Sequence, residues 1–153
     1  MSDDLRDLYQ EVILDHGRHP RNRRHPANAN HQARGENPLC GDKLTVYLTV
    51  NRQGVIEDVA FEGQGCAIST ASASLMTEVM VGKTEAQAEK LFASFHALAT
   101  GDDPPPAAGM EDEVDRLRVL SGVRDYPVRV KCATLAWHTL SAALHNQQKV
   151  STE

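Results

Sequence analysis

Cys40, Cys66 and Cys132 are the three cysteines of this chain, separated by 26 residues (40 to 66) and by 66 residues (66 to 132). No Cys-x-x-Cys knuckle can gather ligands so far apart, so any site they share demands a fold that brings three distant segments together. Asp42 follows Cys40 by two residues, with Gly41 between them, and a turn there can aim both side chains at one point. A lone cysteine is usually inert core and an Asp after Gly is usually a turn residue, and spacing by itself leaves that reading level with a shared metal site.

Composition narrows the setting. A length of 153 residues with 41% hydrophobic content suits one compact domain spanning 1–153. Sixteen basic against twenty-one acidic residues give a formal charge of −5, which supplies no general pull toward nucleic acid or an anionic membrane. No apolar run approaches the roughly 18 residues of a membrane span, and Met1-Ser2-Asp3-Asp4 lacks the profile of a secretion signal, so a cytoplasmic protein is expected. An odd number of cysteines there argues against a disulfide framework and for metal binding, catalysis or burial.

Periodicity predicts a helix over residues 4–15, with Leu5, Leu8 and Val12 on one face and His16-Gly17 as its end. Residues 18–30 read as a loop or arm carrying Arg18, Arg21, Arg23 and Arg24, a partner-docking or solvated surface. Alternation of Leu44, Val46, Leu48 and Val50, a turn at Asn51-Arg52-Gln53-Gly54 and a run over 55–61 predict a β-hairpin, with a third edge strand around 29–36. A helix is expected over 66–81, and another after the N-cap Thr84 with Gln87 three residues on. The Pro run at 104–106 interrupts, an acidic short helix runs from Glu111 to Leu120 and stops at Ser121-Gly122, and a last helix covers 131–146. The expected class is α+β: a small antiparallel sheet of about three strands with helices packed on one face.

In this outline Cys66 and Cys132 each stand where a loop becomes a helix, where unpaired amides and the helix dipole favour a thiolate. Cys40 stands in the loop before the hairpin. Lys43, Arg129 and Lys131 adjoin the candidate ligands and can offset surplus negative charge. His138 and His145, seven residues apart on the last helix, read as an exposed or core-edge pair without metal, and Trp137 as a packing anchor.

Four segments together resemble a known family. They are Leu8-Tyr9-Gln10-Glu11-Val12-Ile13-Leu14-Asp15-His16 with His19-Pro20-Arg21-Asn22, Asn37-Pro38-Leu39-Cys40-Gly41-Asp42, Phe61-Glu62-Gly63-Gln64-Gly65-Cys66-Ala67-Ile68-Ser69, and Lys131-Cys132-Ala133-Thr134-Leu135-Ala136-Trp137. The chain resembles the SufU branch of the IscU/SufU iron–sulfur cluster assembly proteins. IscU-type scaffolds carry His immediately before the third cysteine, where this chain has Lys131, and the segment around 100–122 resembles the SufU insertion.

The resemblance implies that Cys40, Asp42, Cys66 and Cys132 hold one Zn²⁺ and that Arg129 matches a basic residue of SufU proteins, with a helper role toward incoming persulfide. It implies a zinc-dependent sulfurtransferase that accepts persulfide sulfur on Cys40 from a pyridoxal-phosphate cysteine desulfurase of the SufS type. Delivery would run toward cluster assembly, with a SufBCD-type complex downstream. The alternative it leaves is a scaffold on which a [2Fe–2S] cluster is built on the same four residues.

Overall fold

The computed structural model describes residues 3–38, 41–103, 107–147 and 149–151; Cys40 and the proline run at 104–106 lie outside the described residues. The elements in order are α1 (Asp3–Arg18), β1 (His31–Asn37), β2 (Asp42–Val50), β3 (Ile56–Gln64), α2 (Ala67–Met80), α3 (Glu85–Thr100) and α4 (Glu111–Leu117). A 3-10 segment (Arg118–Asp125), α5 (Pro127–Leu144) and β4 (Lys149–Ser151) follow.

The expected hairpin forms one side of the sheet, whose strand order is β3-β2-β1-β4. β1 and β2 pair antiparallel with Asn37 opposite Asp42, and β2 and β3 pair antiparallel with Lys43 opposite Gln64. Strand alternation sends Leu44, Val46 and Leu48 of β2 and Val59 and Phe61 of β3 to one face, where all are buried. Helices α5 and α2 cover that face, α5 over β1 and β2 and α2 over β3, while α3, α4 and the 3-10 segment pack behind them. The α+β class with three antiparallel strands and helices on one face is therefore observed. One addition was not expected: β4 pairs parallel to the free edge of β1, Arg34 opposite Lys149.

Close approach of α5 to β1 requires Gly35, because a Cβ there would overlap Thr139 Oγ1 and stand 3.1 Å from Leu135. Beneath the sheet, the Trp137 ring is fully buried, stacks on Phe95 at 4.4 Å and donates its indole N–H to Ser72 Oγ at 3.0 Å. It is the packing anchor that the sequence suggested. Thr84 caps α3 as expected: its Oγ1 accepts from Gln87 N and Gln87 Oε1 accepts from Thr84 N.

Three boundaries differ from expectation. Helix α1 continues through His16-Gly17 to Arg18, because His16 is buried against α2 with Nδ1 2.7 Å from Ser74 Oγ. Ser121-Gly122 does not end a helix but lies within the 3-10 segment. Helix α5 begins at Pro127 rather than Lys131, since proline's fixed φ suits the first helical position and Tyr126 O accepts from Arg129 N and Val130 N. The arm at 18–30 is held along β3 by Phe61 N to Asn22 O and Arg24 N to Phe61 O, and three of its four arginines are engaged internally. Arg21 pairs with Asp15 at 2.7 Å, Arg23 donates to Gly63 O at 2.6 Å, and Arg24 grips both carboxylate oxygens of Asp58. The Arg24 hydrogen bonds hold the Asp58 carboxyl below its ordinary value. The arm is thus fastened along β3 while Arg18, Arg23 and Arg24 stay exposed, as a solvated surface requires.

Candidate metal centre

Three of the four expected ligands converge at the end of the sheet where β2 begins. Cys66 is the N-cap of α2, and its Sγ accepts from Ser69 N at 3.4 Å, occupying an amide that the helix cannot pair internally. Asp42 opens β2 at 1% exposure, and its Oδ1 accepts from Cys66 N at 3.0 Å. This hydrogen bond fixes the carboxylate against the turn into α2. Gly65 makes the approach possible: a Cβ there would stand 2.9 Å from Asp42 Oδ1 and 2.9 Å from Ser69 Oγ, closer than real Cβ atoms come.

Cys132 enters from α5 and is fully buried. The expectation that it stands at a helix start is corrected. With α5 opening at Pro127, Cys132 lies in the second turn, where its amide is paired within the helix and the dipole contributes little. Asn37 Nδ2, at the end of β1, donates to its Sγ at 3.8 Å. A ligand atom of each of Asp42, Cys66 and Cys132 lies within 4.8 Å of the others. Cys40 lies outside the described residues, tied by sequence two positions before Asp42.

The donor set fits a soft divalent ion. Asp42 Oδ2 is buried with no hydrogen-bond partner among the described residues, a state that costs free energy unless something positive completes it. Tetrahedral zinc with Zn–S near 2.3 Å holds two sulfurs roughly 3.8 Å apart, so the observed spacing needs closing by no more than about 1 Å. Cys40, Asp42, Cys66 and Cys132 would then complete four ligands.

The basic neighbours are arranged around this end. Arg129 is exposed in the first turn of α5, Lys131 is half-buried and Lys43 is exposed, and none forms an ion pair among the described residues. His138 on α5 and His145 at its C-terminal end serve elsewhere. His138 is half-buried edge-on to Phe92 at 5.0 Å, and burial followed by the nearby His96 pushes its pKa below the ordinary histidine value. His145 joins Glu85 and Glu89 at 3.3 and 3.1 Å in an exposed cluster, as an ion-paired surface residue. Asn37 and Gly65 went unremarked in the sequence although both lie inside segments quoted above, because their roles are contacts across 95 and 23 residues (37 to 132, 42 to 65).

Comparison with known proteins agrees with this architecture. Residues 8–133 match the family described as NifU-like N terminal domain. The "Zinc-dependent sulfurtransferase SufU" of Bacillus subtilis is 36% identical over 142 residues, covering 92% of this chain and 92% of that protein. The "Iron-sulfur cluster assembly scaffold protein IscU" of Streptococcus pyogenes is 35% identical over 140 residues, covering 92% of this chain and 84% of that one. A crystal structure of a candidate iron–sulfur cluster assembly scaffold protein for the SUF system from Fervidobacterium islandicum AW-1 superposes with a TM-score of 0.79 at 34% identity, covering 88% of this chain and 94% of that one. With the fold, the cysteine segments and near full-length likeness in agreement, the chain belongs to the NifU-like N-terminal domain family, among relatives named IscU and SufU.

Proposed function

We propose that this protein is a zinc-dependent sulfur carrier for iron–sulfur cluster assembly, accepting persulfide sulfur on Cys40 from a cysteine desulfurase. The observation that carries the reading is the convergence of Asp42, Cys66 and Cys132 around an unpartnered buried carboxylate oxygen, with Cys40 tethered two residues from Asp42. Likeness to Bacillus SufU over 92% of both chains and Lys131 in place of a scaffold-type His support it. Zinc, when bound, keeps its thiol ligands deprotonated at neutral pH.

The Cys40 thiolate attacks the outer sulfur of the desulfurase persulfide. A new S–S bond forms at Cys40, the S–S bond on the desulfurase breaks, and its electron pair leaves with the desulfurase cysteine as thiolate. The outer sulfur moves with no net oxidation or reduction. Asp42, Cys66 and Cys132 hold the rest of the site meanwhile. Exposed Arg129, without an ion-pair partner among the described residues, attracts the anionic persulfide. We assign the desulfurase to the SufS type, a SufBCD-type complex as the consumer and the cytoplasm as the location; among the described residues no helix is long and apolar enough to cross a membrane.

The test is desulfurase turnover with and without zinc-loaded protein. Wild type stimulates it and Cys40→Ala does not; undiminished stimulation by Cys40→Ala refutes the assignment. A second reading, a scaffold for a [2Fe–2S] cluster, is favoured by the scaffold name of the Streptococcus relative. One colourless zinc per chain supports the carrier, and a reddish iron–sulfide chromophore on purification supports the scaffold.

A further inference from the structure

Asn37 belongs to the motif that carries Cys40 and Asp42, yet it has no place in the ligand set. It closes β1 at 0% exposure, opposite Asp42 in the strand register. Its backbone carbonyl accepts from Gly41 N at 2.9 Å, across the connection that contains Cys40. Its side-chain Nδ2 lies 3.8 Å from Cys132 Sγ, while Oδ1 is buried without a partner among the described residues. The amide orientation follows from chemistry, since Oδ1 toward sulfur would set two acceptors against each other.

Burying an amide with half its capacity unused is costly unless the other half does more than a neutral contact. A thiol accepts such a bond weakly. A thiolate accepts it as a charged group, and charge-assisted hydrogen bonds are about twice as strong as neutral ones.

We propose that Asn37 is a positioning residue: its Nδ2–H donates to Cys132 Sγ and holds that sulfur as a metal-bound thiolate. The inference rests on the zinc reading above. Three thiolates and a carboxylate exceed the charge of Zn²⁺ by two, and an amide N–H aimed at one sulfur withdraws part of that surplus without adding a titrating group. It also separates the cysteines by task. Cys132 is held by helix α5 and by Asn37, which leaves Cys40 as the thiolate that exchanges.

The experiment loads the full-length chain with Co²⁺ and records sulfur-to-cobalt charge transfer, and separately measures Zn²⁺ affinity by competition with a chromophoric chelator. The variants are Asn37→Leu, which keeps the volume but removes the donor, and Asn37→Asp, which keeps the shape but faces sulfur with an acceptor. Asn37→Leu moves the charge-transfer band to lower energy, because a thiolate stripped of its hydrogen bond is more easily oxidised, and weakens zinc by about tenfold or more. Asn37→Asp weakens it further. In a Cys132→Ala background, Asn37→Leu changes the residual affinity by less than about twofold, as expected of a side chain acting through that sulfur.

Wild-type spectrum and affinity in both variants overturns the proposal, as does an Asn37→Leu loss undiminished in the Cys132→Ala background. Where Asn37→Leu fails to fold, the isosteric Asn37→Asp carries the same test. A wild-type protein that takes up neither ion overturns the zinc reading itself, a result distinguishable because it arises before any variant is compared.

Discussion

Asp42 has two carboxylate oxygens with different duties, and replacing it separates them. Oδ1 accepts from Cys66 N, and Oδ2 is the buried oxygen without a partner among the described residues. Asp42→Asn keeps an acceptor for the Cys66 amide but loses the charge offered to a metal. Asp42→Ala loses both and strands a half-buried N–H. Without metal, Asp42→Ala is expected to lose about 1–3 kcal/mol, the cost of an unmet buried donor, while Asp42→Asn stays within about 1 kcal/mol of wild type. With zinc the ordering changes. At a free zinc concentration 1,000-fold above Kd the ion adds about 4.1 kcal/mol to wild-type stability, whereas a 100-fold weaker site retains about 1.4 kcal/mol at the same concentration. At roughly 2–4 °C per kcal/mol for a chain this long, the zinc-induced rise in Tm falls from about 8–16 °C to about 3–6 °C in Asp42→Asn. Melting curves with buffered zinc and with chelator read both quantities. An unchanged zinc-induced rise in Asp42→Asn removes Asp42 from the ligand set, and an unchanged metal-free Tm in Asp42→Ala removes the structural role of Oδ1.

Further outcomes follow from neighbouring contacts. Gly65→Ala places a Cβ 2.9 Å from Asp42 Oδ1, so zinc affinity measured by chelator competition drops about 10- to 100-fold while far-ultraviolet circular dichroism is unchanged. Thr84→Ala, which removes the capping box of α3 far from the metal centre, costs about 1 kcal/mol in denaturant melts and leaves zinc affinity as it was. His16 has its pKa pushed down first by burial and next by Arg21, with Arg116 adding to the depression and Glu78 and Asp15 opposing it. The unfolded chain therefore binds more protons than the folded one below the ordinary histidine value of about 6.5; this contribution is complete above that pH and is lost as pH falls toward the depressed value. His16→Asn, which keeps an acceptor for Ser74 but does not titrate, flattens the fall in Tm between pH 7 and pH 5; an unaltered slope refutes the assignment to His16.

Legibility in the sequence tracked how local the determining contact was. The β2–β3 hairpin and the Thr84 capping box are written in residues two to four apart, and both formed as read. Cys66 as a helix cap is equally local, marked by the glycines before it and the small residues after it. Strand β4 has three residues and no periodicity, so its pairing with β1 is a tertiary fact. Helix α1 outlasts His16-Gly17 because Ser74, 58 residues away, receives His16 into the core, a gain that outweighs the intrinsic cost of Gly in a helix. The start of α5 was legible and misread: Pro127 is the expected first helical residue, and placing the boundary at Lys131 gave Cys132 a dipole contribution that it does not have.

That displacement alters the account of the site. A cysteine at a helix start finds open amides to serve its sulfur, as Ser69 N serves Cys66 Sγ. Cys132, buried in the second turn of α5, receives a polar contact from strand β1 through Asn37 Nδ2. Asp42 is likewise bound to Cys66 N rather than to its own strand. Asp42 and Cys132 are thus each held by a group distant in sequence, Cys66 is held both by the nearby Ser69 N and by Asp42, and the three are fixed together through β1, β2, α2 and α5. Such a frame resists losing any one of the three, because moving a member breaks a buried or part-buried hydrogen bond, at a net cost of about 0.5–1.5 kcal/mol and more where a buried donor is left unmet. In the sulfur carrier proposed above, the ligand that leaves to take up sulfur is therefore the fourth, Cys40, which the sequence sets between β1 and β2.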